Sequence, residues 1–498
     1  MLFSSLLLLV LISLSSLVLA TSKKLLLVHD ESIDLKSDYS VFIGDLAGNS
    51  NYQLSYLNVD DLTQLLAFKI LNENVQNLYD NLIIFPLQSQ KNFNRKVSSS
   101  DLINFNNNNG NIFIITNDLS LNTEVRLFLN QLGIYPSPKY YKIFDHFNYY
   151  QQENQEDNNS EDLHDTLKLS TNEILNNNIV SKIDDELILY KGASAIISNN
   201  ELIVPVLSSS RTAFNFNKKK SIDYDLTSLS EDLTWSLGNQ NYLIASFQSL
   251  LNSRVSWIGS NLFLSNEFYS NSKDNNRKVV NDLISWTFQN KSILKIDYIE
   301  YYKTNNNSVN KRISNDSFKE LDEIIYNIAI EEFDGKVWKP YVANDLQLEI
   351  IMLDPYYRIT LKPIELDSKV LSFNDYSSLD STSNLTFYSQ RFDSNNNNLI
   401  SRLKNSGIYT SNKVRLPDQH GIFKFKINYE RKGLTFLKHE HSSIVRNLAS
   451  EEFSKSWEIS NSRVYLTSIF SLLFVWLIFT NLVLYSIKDK FLKTKKNV

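Results

Sequence analysis

At 498 residues the chain exceeds what one hydrophobic core of roughly 250–300 residues can hold, so two or more domains are expected. A formal net charge of −5 gives no electrostatic footprint for nucleic acid. The absence of cysteine excludes disulfides, a thiol oxidoreductase, a cysteine protease, a cysteine-type glutamine hydrolase and any cysteine-ligated zinc site.

Residues 1–20, MLFSSLLLLVLISLSSLVLA, form an apolar run ending in small residues, the pattern of a secretory signal cleaved after Ala20. No Lys or Arg precedes the run, so an uncleaved anchor is the alternative. Either way the bulk of the chain is translocated.

From Lys23 to Gly133 strand and helix patterns alternate. Strands are expected at Lys23–His29, Tyr52–Val59, Tyr79–Phe85 and Gly110–Thr116. Helices are expected at Ser37–Ala47, Leu62–Lys69 capped by Asp60, Ser100–Phe105, and from Asn122 as cap through Leu132 to Gly133. This alternation predicts an α/β domain with a parallel, doubly wound sheet. Such sheets bind ligands at the carboxyl ends of their strands, here marked by Asp30, Asp60, Pro86 and Asn117. No phosphate-cradling glycine motif opens a helix, and Asp30 and Asp60 read first as turn formers or helix caps.

Residues 149–165 are rich in Gln, Asn, Glu and Asp and read as a flexible acidic loop. Strand patterns resume at Glu186–Lys191, Ala195–Ile197, Leu202–Leu207, Asn241–Gln248 and Arg254–Gly259, and Asn276–Gln289 reads as a helix completing the first domain. A β-rich pattern follows, with strands expected at Ile293–Tyr301, Glu323–Glu331, Asp345–Met352, Tyr357–Leu361, Gly421–Tyr429 and Leu434–Phe436. Short strands separated by turn residues suggest a sandwich-like domain. Leu371–Ser411 reads as a low-complexity, solvated insertion, and Ile444–Phe453 as a short helix.

Val464–Ile487 holds no charge over 24 residues, about 36 Å as a helix, against a bilayer core of about 30 Å. A buried core helix is the alternative, disfavoured by the length and the flanking charges. Lys488, Lys490, Lys493, Lys495 and Lys496 follow it, which places the C-terminal tail in the cytosol. Thr467, Ser468, Ser471, Thr480 and Asn481 lie within the span; the cluster, and Thr467, Ser468, Ser471 and Asn481 above all, reads as contacts to partner helices. Lys495 and Lys496, fourth and third from the end, read as a dilysine retrieval signal. The expected organisation is 1–20 signal peptide, 21–290 lumenal α/β domain, 291–445 lumenal β-rich domain, 446–463 juxtamembrane segment, 464–487 span and 488–498 cytosolic tail. Sequons at Asn158, Asn290, Asn306, Asn315 and Asn384 fall on the lumenal side and are candidate glycosylation sites.

No credible catalytic set, cofactor site or metal site is visible. His420, His439 and His441 invite a metal reading, with His439 and His441 on one face of a strand, but read better as surface residues. The pairs Glu331–Glu332 and Glu451–Glu452 read as solvated faces.

Five stretches in order, NTEVRLFLNQLGIYPSPK (122–139), RVSWIGS (254–260), LDPYYRITLKP (353–363), LPDQHGIFKF (416–425) and SWEISNSRVY (456–465), resemble one family. It is the non-catalytic wheat-germ-agglutinin-binding-protein/DDOST subunit family of oligosaccharyltransferase, and the lysine tail resembles the family's retrieval signal. The resemblance implies an endoplasmic reticulum type I membrane protein. It implies an accessory role in transferring a lipid-linked oligosaccharide to Asn of N-x-S/T, with the chemistry and metal in a separate catalytic subunit. It also implies a glutamine-amidotransferase-like but inactive α/β domain, and as partners the catalytic, ribophorin II-like and DAD-type subunits and membrane lipid. The acidic loop and the Asn-rich insertions depart from the family pattern. The competing reading is a stand-alone lumenal carbohydrate-binding or hydrolytic protein.

Overall fold

The computed structural model describes residues 23–48, 52–71, 76–88, 90–119, 121–150, 164–183, 187–217, 234–271, 274–303, 317–353, 356–364, 407–453, 455 and 461–496. The signal segment and Asn158, Asn306, Asn315 and Asn384 lie outside them.

Four parallel strands found the first region: β1 (Lys23–His29), β2 (Tyr52–Asn58), β3 (Asn81–Ile84) and β4 (Asn111–Ile115). They align β2-β1-β3-β4, and Arg254–Ile258 adds a fifth parallel strand beside β4. Tyr242–Gln248 then pairs antiparallel and leads to Ala195–Ile197, Ile134–Pro136 and Ile203–Ser208. The central strands are apolar without alternation because both faces are covered. Leu25, Leu27, Ile83 and Phe113 join one core with Phe42 and Leu46 of helix Ser40–Gly48 and with Val279, Leu283 and Trp286 of helix Asn275–Thr287. Leu26, Val28, Ile84 and Ile114 join the other, under helices Ser99–Asn107 and Thr123–Leu132.

Local chemistry sets the helix ends. Asn122 caps Thr123–Leu132 through Glu124 N, and Gly133 closes it at φ +93°. Ser98 and Asp101 form a capping box on Ser99–Asn107. The cap of Leu62–Ala67 is Asp61, not Asp60: its carboxylate accepts from Thr63 N at 3.0 Å. Asp60 is turned toward the neighbouring loop instead, accepting from Glu31 N at 2.9 Å.

The second region is two sheets around one shared core. One sheet is built on Ile293–Lys303 and Glu323–Phe333, with Gly407–Thr410 and Lys362–Ile364. The other runs Ser317–Lys319, Leu437–Arg446, Gly421–Tyr429, Gln347–Ile351 and Tyr356–Thr360. Ile324, Tyr326 and Ile328 from the first meet Phe423, Phe425 and Ile427 from the second.

Three expectations are corrected here. Leu434–Phe436 is a loop, not a strand, because its backbone bonds to the α/β region. Ile444–Phe453 is not a helix: Ile444–Arg446 ends the strand Leu437–Arg446, whose period-two pattern buries Ser443 and Val445, and turns follow. Gly407–Thr410, placed in a solvated insertion, is a fully buried strand; residues 365–406 lie outside the described part.

At the turn after Arg446, Glu452 accepts from Arg446 Nη2 at 2.9 Å and Ala449 N at 3.1 Å and pairs with Lys319. Arg446 first, then Lys319, hold its carboxyl well below the usual range. A carboxylate with a depressed folded pKa stabilises above its unfolded pKa, and this is lost only as pH falls through the folded value, here in strong acid. Glu452→Gln is therefore expected to speed hydrogen exchange at residues 447–453 at neutral pH, with little change in global unfolding. Unchanged exchange there would show that the ion pairs do not hold the turn.

Helix Ser462–Lys496 ends the described chain. Its portion Ser462–Lys490 is long and apolar enough to cross a membrane, and none of the apolar stretch is buried against the rest of the protein.

Candidate functional site

The sheet order reverses between β1 and β3, where doubly wound sheets open a ligand crevice. Here the crevice is closed by the chain itself. Asp30 is 1% exposed, and its carboxylate accepts from Ser32 N at 3.2 Å, from Ser32 Oγ, and from Gln88 N beyond β3. Pro86 and Leu87 are buried beside it, and Asn117 Oδ1 turns back onto Leu119 N at 3.2 Å. Asp30 and Asp60 are loop ties. Next to them an open cleft of about 390 Å³ lies between the loops after β1 and after Arg254–Ile258, bordered by Asp38, Tyr39, Asn261 and Glu267. Among the described residues no histidine, lysine or arginine lines it.

The three histidines that invite a metal reading, His420, His439 and His441, do not converge on one point. His420 Nδ1 meets Glu320 at 3.0 Å. His439 and His441 share a face of Leu437–Arg446, but His441 Nε2 is bound by the Tyr301 hydroxyl, within a ring stack that includes Tyr326 and Phe425. Burial, and secondarily His441, lowers the pKa of His439 from its ordinary value. Among the described residues no three His, Cys, Asp or Glu side chains gather as a metal would need. The Glu331–Glu332 pair is no solvated face: successive strand residues point oppositely, Glu331 is buried, and burial raises the Glu332 pKa. Glu451 is exposed, and Glu452 is the turn clamp described above.

What the geometry does build is a junction between the two regions, and sequence reasoning missed it. Arg254, first residue of RVSWIGS, is fully buried. Its guanidinium donates to Trp286 O at 2.6 Å, Lys291 O at 2.9 Å and Ser292 O at 2.9 Å, and stacks over the Trp286 ring at 4.5 Å. Burial pushes its pKa down to about 9, which leaves it charged at neutral pH. Lys23 meets the same helix end, donating to Phe288 O at 2.7 Å. Two cations thus sit at the negative end of helix Asn275–Thr287. The loop 430–436 of the β-rich region enters from the other side. Trp286 Nε1 donates to Gly433 O at 2.7 Å, Gln248 Nε2 to Leu434 O at 2.9 Å and Asn252 Nδ2 to Phe436 O at 3.1 Å.

Asn290 lies inside this junction. Its Oδ1 accepts from Lys23 Nζ at 3.1 Å and its Nδ2 donates to the Tyr52 hydroxyl. Ser292, the sequon's third residue, is 2% exposed, and its Oγ donates to Asn178 O at 2.6 Å. A glycan needs that Nδ2 for its own bond, so Asn290 is expected to be unmodified. Glycopeptide mass spectrometry of the native protein checks this; an occupied Asn290 would mean that the junction forms differently.

In the long helix, Thr467, Ser468, Ser471 and Thr480 each donate to the carbonyl three residues back, and Asn481 to Leu477 O four back, at 2.8–3.0 Å. At about 100° per residue Thr467, Ser471 and Asn481 fall on one face, while Ser468 lies about 100° from Thr467. Lys495 and Lys496 fall in the last described turn of the helix.

Comparison with known proteins accounts for both regions. A family model described as OST48, N-terminal domain, matches residues 16–290, and one described as OST48 middle domain matches residues 302–379 and 383–487. Over 459 residues the chain is 31% identical to the dolichyl-diphosphooligosaccharide--protein glycosyltransferase subunit WBP1 of Saccharomyces cerevisiae, covering 92% of this chain and 90% of that one. It is 27% identical over 475 residues to the subunit wbp1 of Schizosaccharomyces pombe, covering 93% and 92%. It is 24% identical over 473 residues to the 48 kDa subunit of Drosophila melanogaster, covering 92% and 90%.

Proposed function

This chain belongs to the OST48 family, and we propose that it serves the endoplasmic reticulum oligosaccharyltransferase as an accessory, non-catalytic subunit. It supports assembly and the transfer of the lipid-linked oligosaccharide to Asn of N-x-S/T sequons. The observation that carries this reading is similarity to named subunits of that glycosyltransferase along nine-tenths of both chains. It favours a complex subunit over a stand-alone carbohydrate-binding or hydrolytic protein. The α/β domain is then glutamine-amidotransferase-like but inactive, and the lack of any cysteine supports the inactivity, since that hydrolysis uses a thiol.

The same reading sets topology and partners. The signal at 1–20 is removed, the domains at 21–290 and 291–445 and the juxtamembrane segment at 446–463 are lumenal, 464–487 crosses the membrane, and 488–498 is cytosolic with Lys495 and Lys496 as retrieval signal. Asn158, Asn306, Asn315 and Asn384 are glycan acceptors. Thr467, Ser471 and Asn481 form the face that meets the spans of the catalytic, ribophorin II-like and DAD-type subunits, with Ser468 at its margin. Polar groups already bonded to their own helix still approach a neighbour closely because they are small.

Depletion tests the proposal. Removing the protein from cells should lower sequon occupancy on glycoproteins and leave the catalytic subunit poorly recovered with its companions in pull-downs. Unchanged occupancy with an intact complex would overturn it.

A further inference from the structure

The β-rich region has two unlike ends. The loop 430–436, between Tyr429 and Leu437, marks the end held by the α/β region. Strand directions identify what lies at the other. Leu437–Arg446 runs away from the junction, and Gly421–Tyr429 runs back toward it, with Tyr429 opposite Leu437 and Gly421 opposite Val445. Gln347–Ile351 pairs antiparallel with Gly421–Tyr429, Ile351 opposite Lys424, so the hairpin tip at Leu353 also lies at the far end. Ten residues of strand put the two ends about 33 Å apart.

The far end is the one tethered to the long helix. Glu452 gathers Arg446 and Lys319 there. Ser462 begins the helix ten residues later, a reach of at most about 36 Å. The same end collects exposed apolar side chains. Ile422 and Ile444 are cross-strand neighbours, 64% and 56% exposed, on the outer face of a sheet otherwise lined by Lys424, Lys426, Glu440 and Lys438. Leu353 is fully exposed and Phe453 largely so. Grouped apolar exposure of this kind marks a contact surface.

We propose that this rim seats on the bilayer, at the headgroup–acyl boundary on the side from which the span emerges. Leu353, Ile422, Ile444 and Phe453 enter the interface, and the α/β region is carried about 33 Å above it on the β-rich region. Lipid is the occupant because the chain's own tether brings that surface within reach of this end. The proposal rests on Ser462–Lys490 being a membrane span.

The cysteine-free sequence permits a direct test. Leu353→Cys, Ile422→Cys and, at the junction end, Val337→Cys are introduced singly into the full chain, labelled with an environment-sensitive fluorophore and reconstituted into phosphatidylcholine vesicles. Flotation with the vesicles checks the span separately; failure to float refutes the span and, with it, the premise that puts lipid at the rim. In floated protein the labels at 353 and 422 should lose most of their emission to nitroxide-bearing lipid and resist aqueous iodide, while the label at 337 should do the reverse. Iodide quenching at all three positions overturns the proposal. So does protection at 353 and 422 without lipid quenching when the same variants are measured inside the native complex, because a protein neighbour would then cover the rim.

Discussion

Arg254→Ala is expected to cost about 3–5 kcal/mol, a large share of the 5–15 kcal/mol typical of a folded domain. Three carbonyls, those of Trp286, Lys291 and Ser292, lose a charged donor at once. The Trp286 ring loses the cation stacked on it, and a fully buried volume is emptied. Trp286 O and Ser292 O keep backbone donors in Gln289 N and Thr435 N, but Lys291 O loses its donor inside the junction, and a buried acceptor stripped of its partner is expensive. Arg254→Lys should recover only part of the loss, because a single ammonium cannot hold the fork geometry that spans three carbonyls. Urea unfolding of the detergent-solubilised chain, followed by tryptophan fluorescence, measures the shift. Protease cutting within residues 289–292 should rise in parallel. A midpoint unchanged by Arg254→Ala would mean that the junction is not held this way.

Gly259→Ala, five residues along the same motif, is expected to be nearly as severe, at about 3 kcal/mol or more. A Cβ there would lie 2.3 Å from Ala193 O and 2.7 Å from the Tyr190 hydroxyl. Neither can retreat: Ala193 O is backbone, and Ala193 N donates to Gly259 O at 2.9 Å. Tyr190 is fully buried, with its hydroxyl committed to Ala193 O. The contact is reciprocal, since a Cβ on Gly192 would meet Gly259 O at 2.6 Å. Reduced steady-state protein, worse at higher growth temperature, with sequon occupancy falling in proportion, is the expected result. Normal accumulation of the variant would show that the two backbones can separate.

The parallel sheet was legible because three of its strands carry unbroken apolar runs, LLLV, LII and IFII, which only a sheet covered on both faces needs. Asn122 and Gly133 announced their helix for equally local reasons. Leu437–Arg446 misled because Ile444, Val445 and Leu448 also fit a helical spacing, and only pairing with Gly421–Tyr429 decides for the strand. Gly407–Thr410 disappears in a polar neighbourhood because its burial depends wholly on distant strands. The junction was illegible for a different reason. The Arg254 Nη atoms are held by backbone carbonyls, which carry no side-chain signature, and Trp286 by a loop 147 positions away. RVSWIGS pointed to a family without revealing that its arginine and its glycine are both packing devices.

The distance along the chain between Trp286 and Gly433 has a further effect, on timing during synthesis. At ordinary translation rates the α/β region is complete on the order of 10 s before loop 430–436 is made. Through that interval the indole N–H of Trp286 and the amides of Gln248 and Asn252 await their acceptors. The partners of Asn290, Lys23 and Tyr52, have by then already been made. The nascent first half can therefore claim its sequon early, while three of its donors turn to water until the second half arrives.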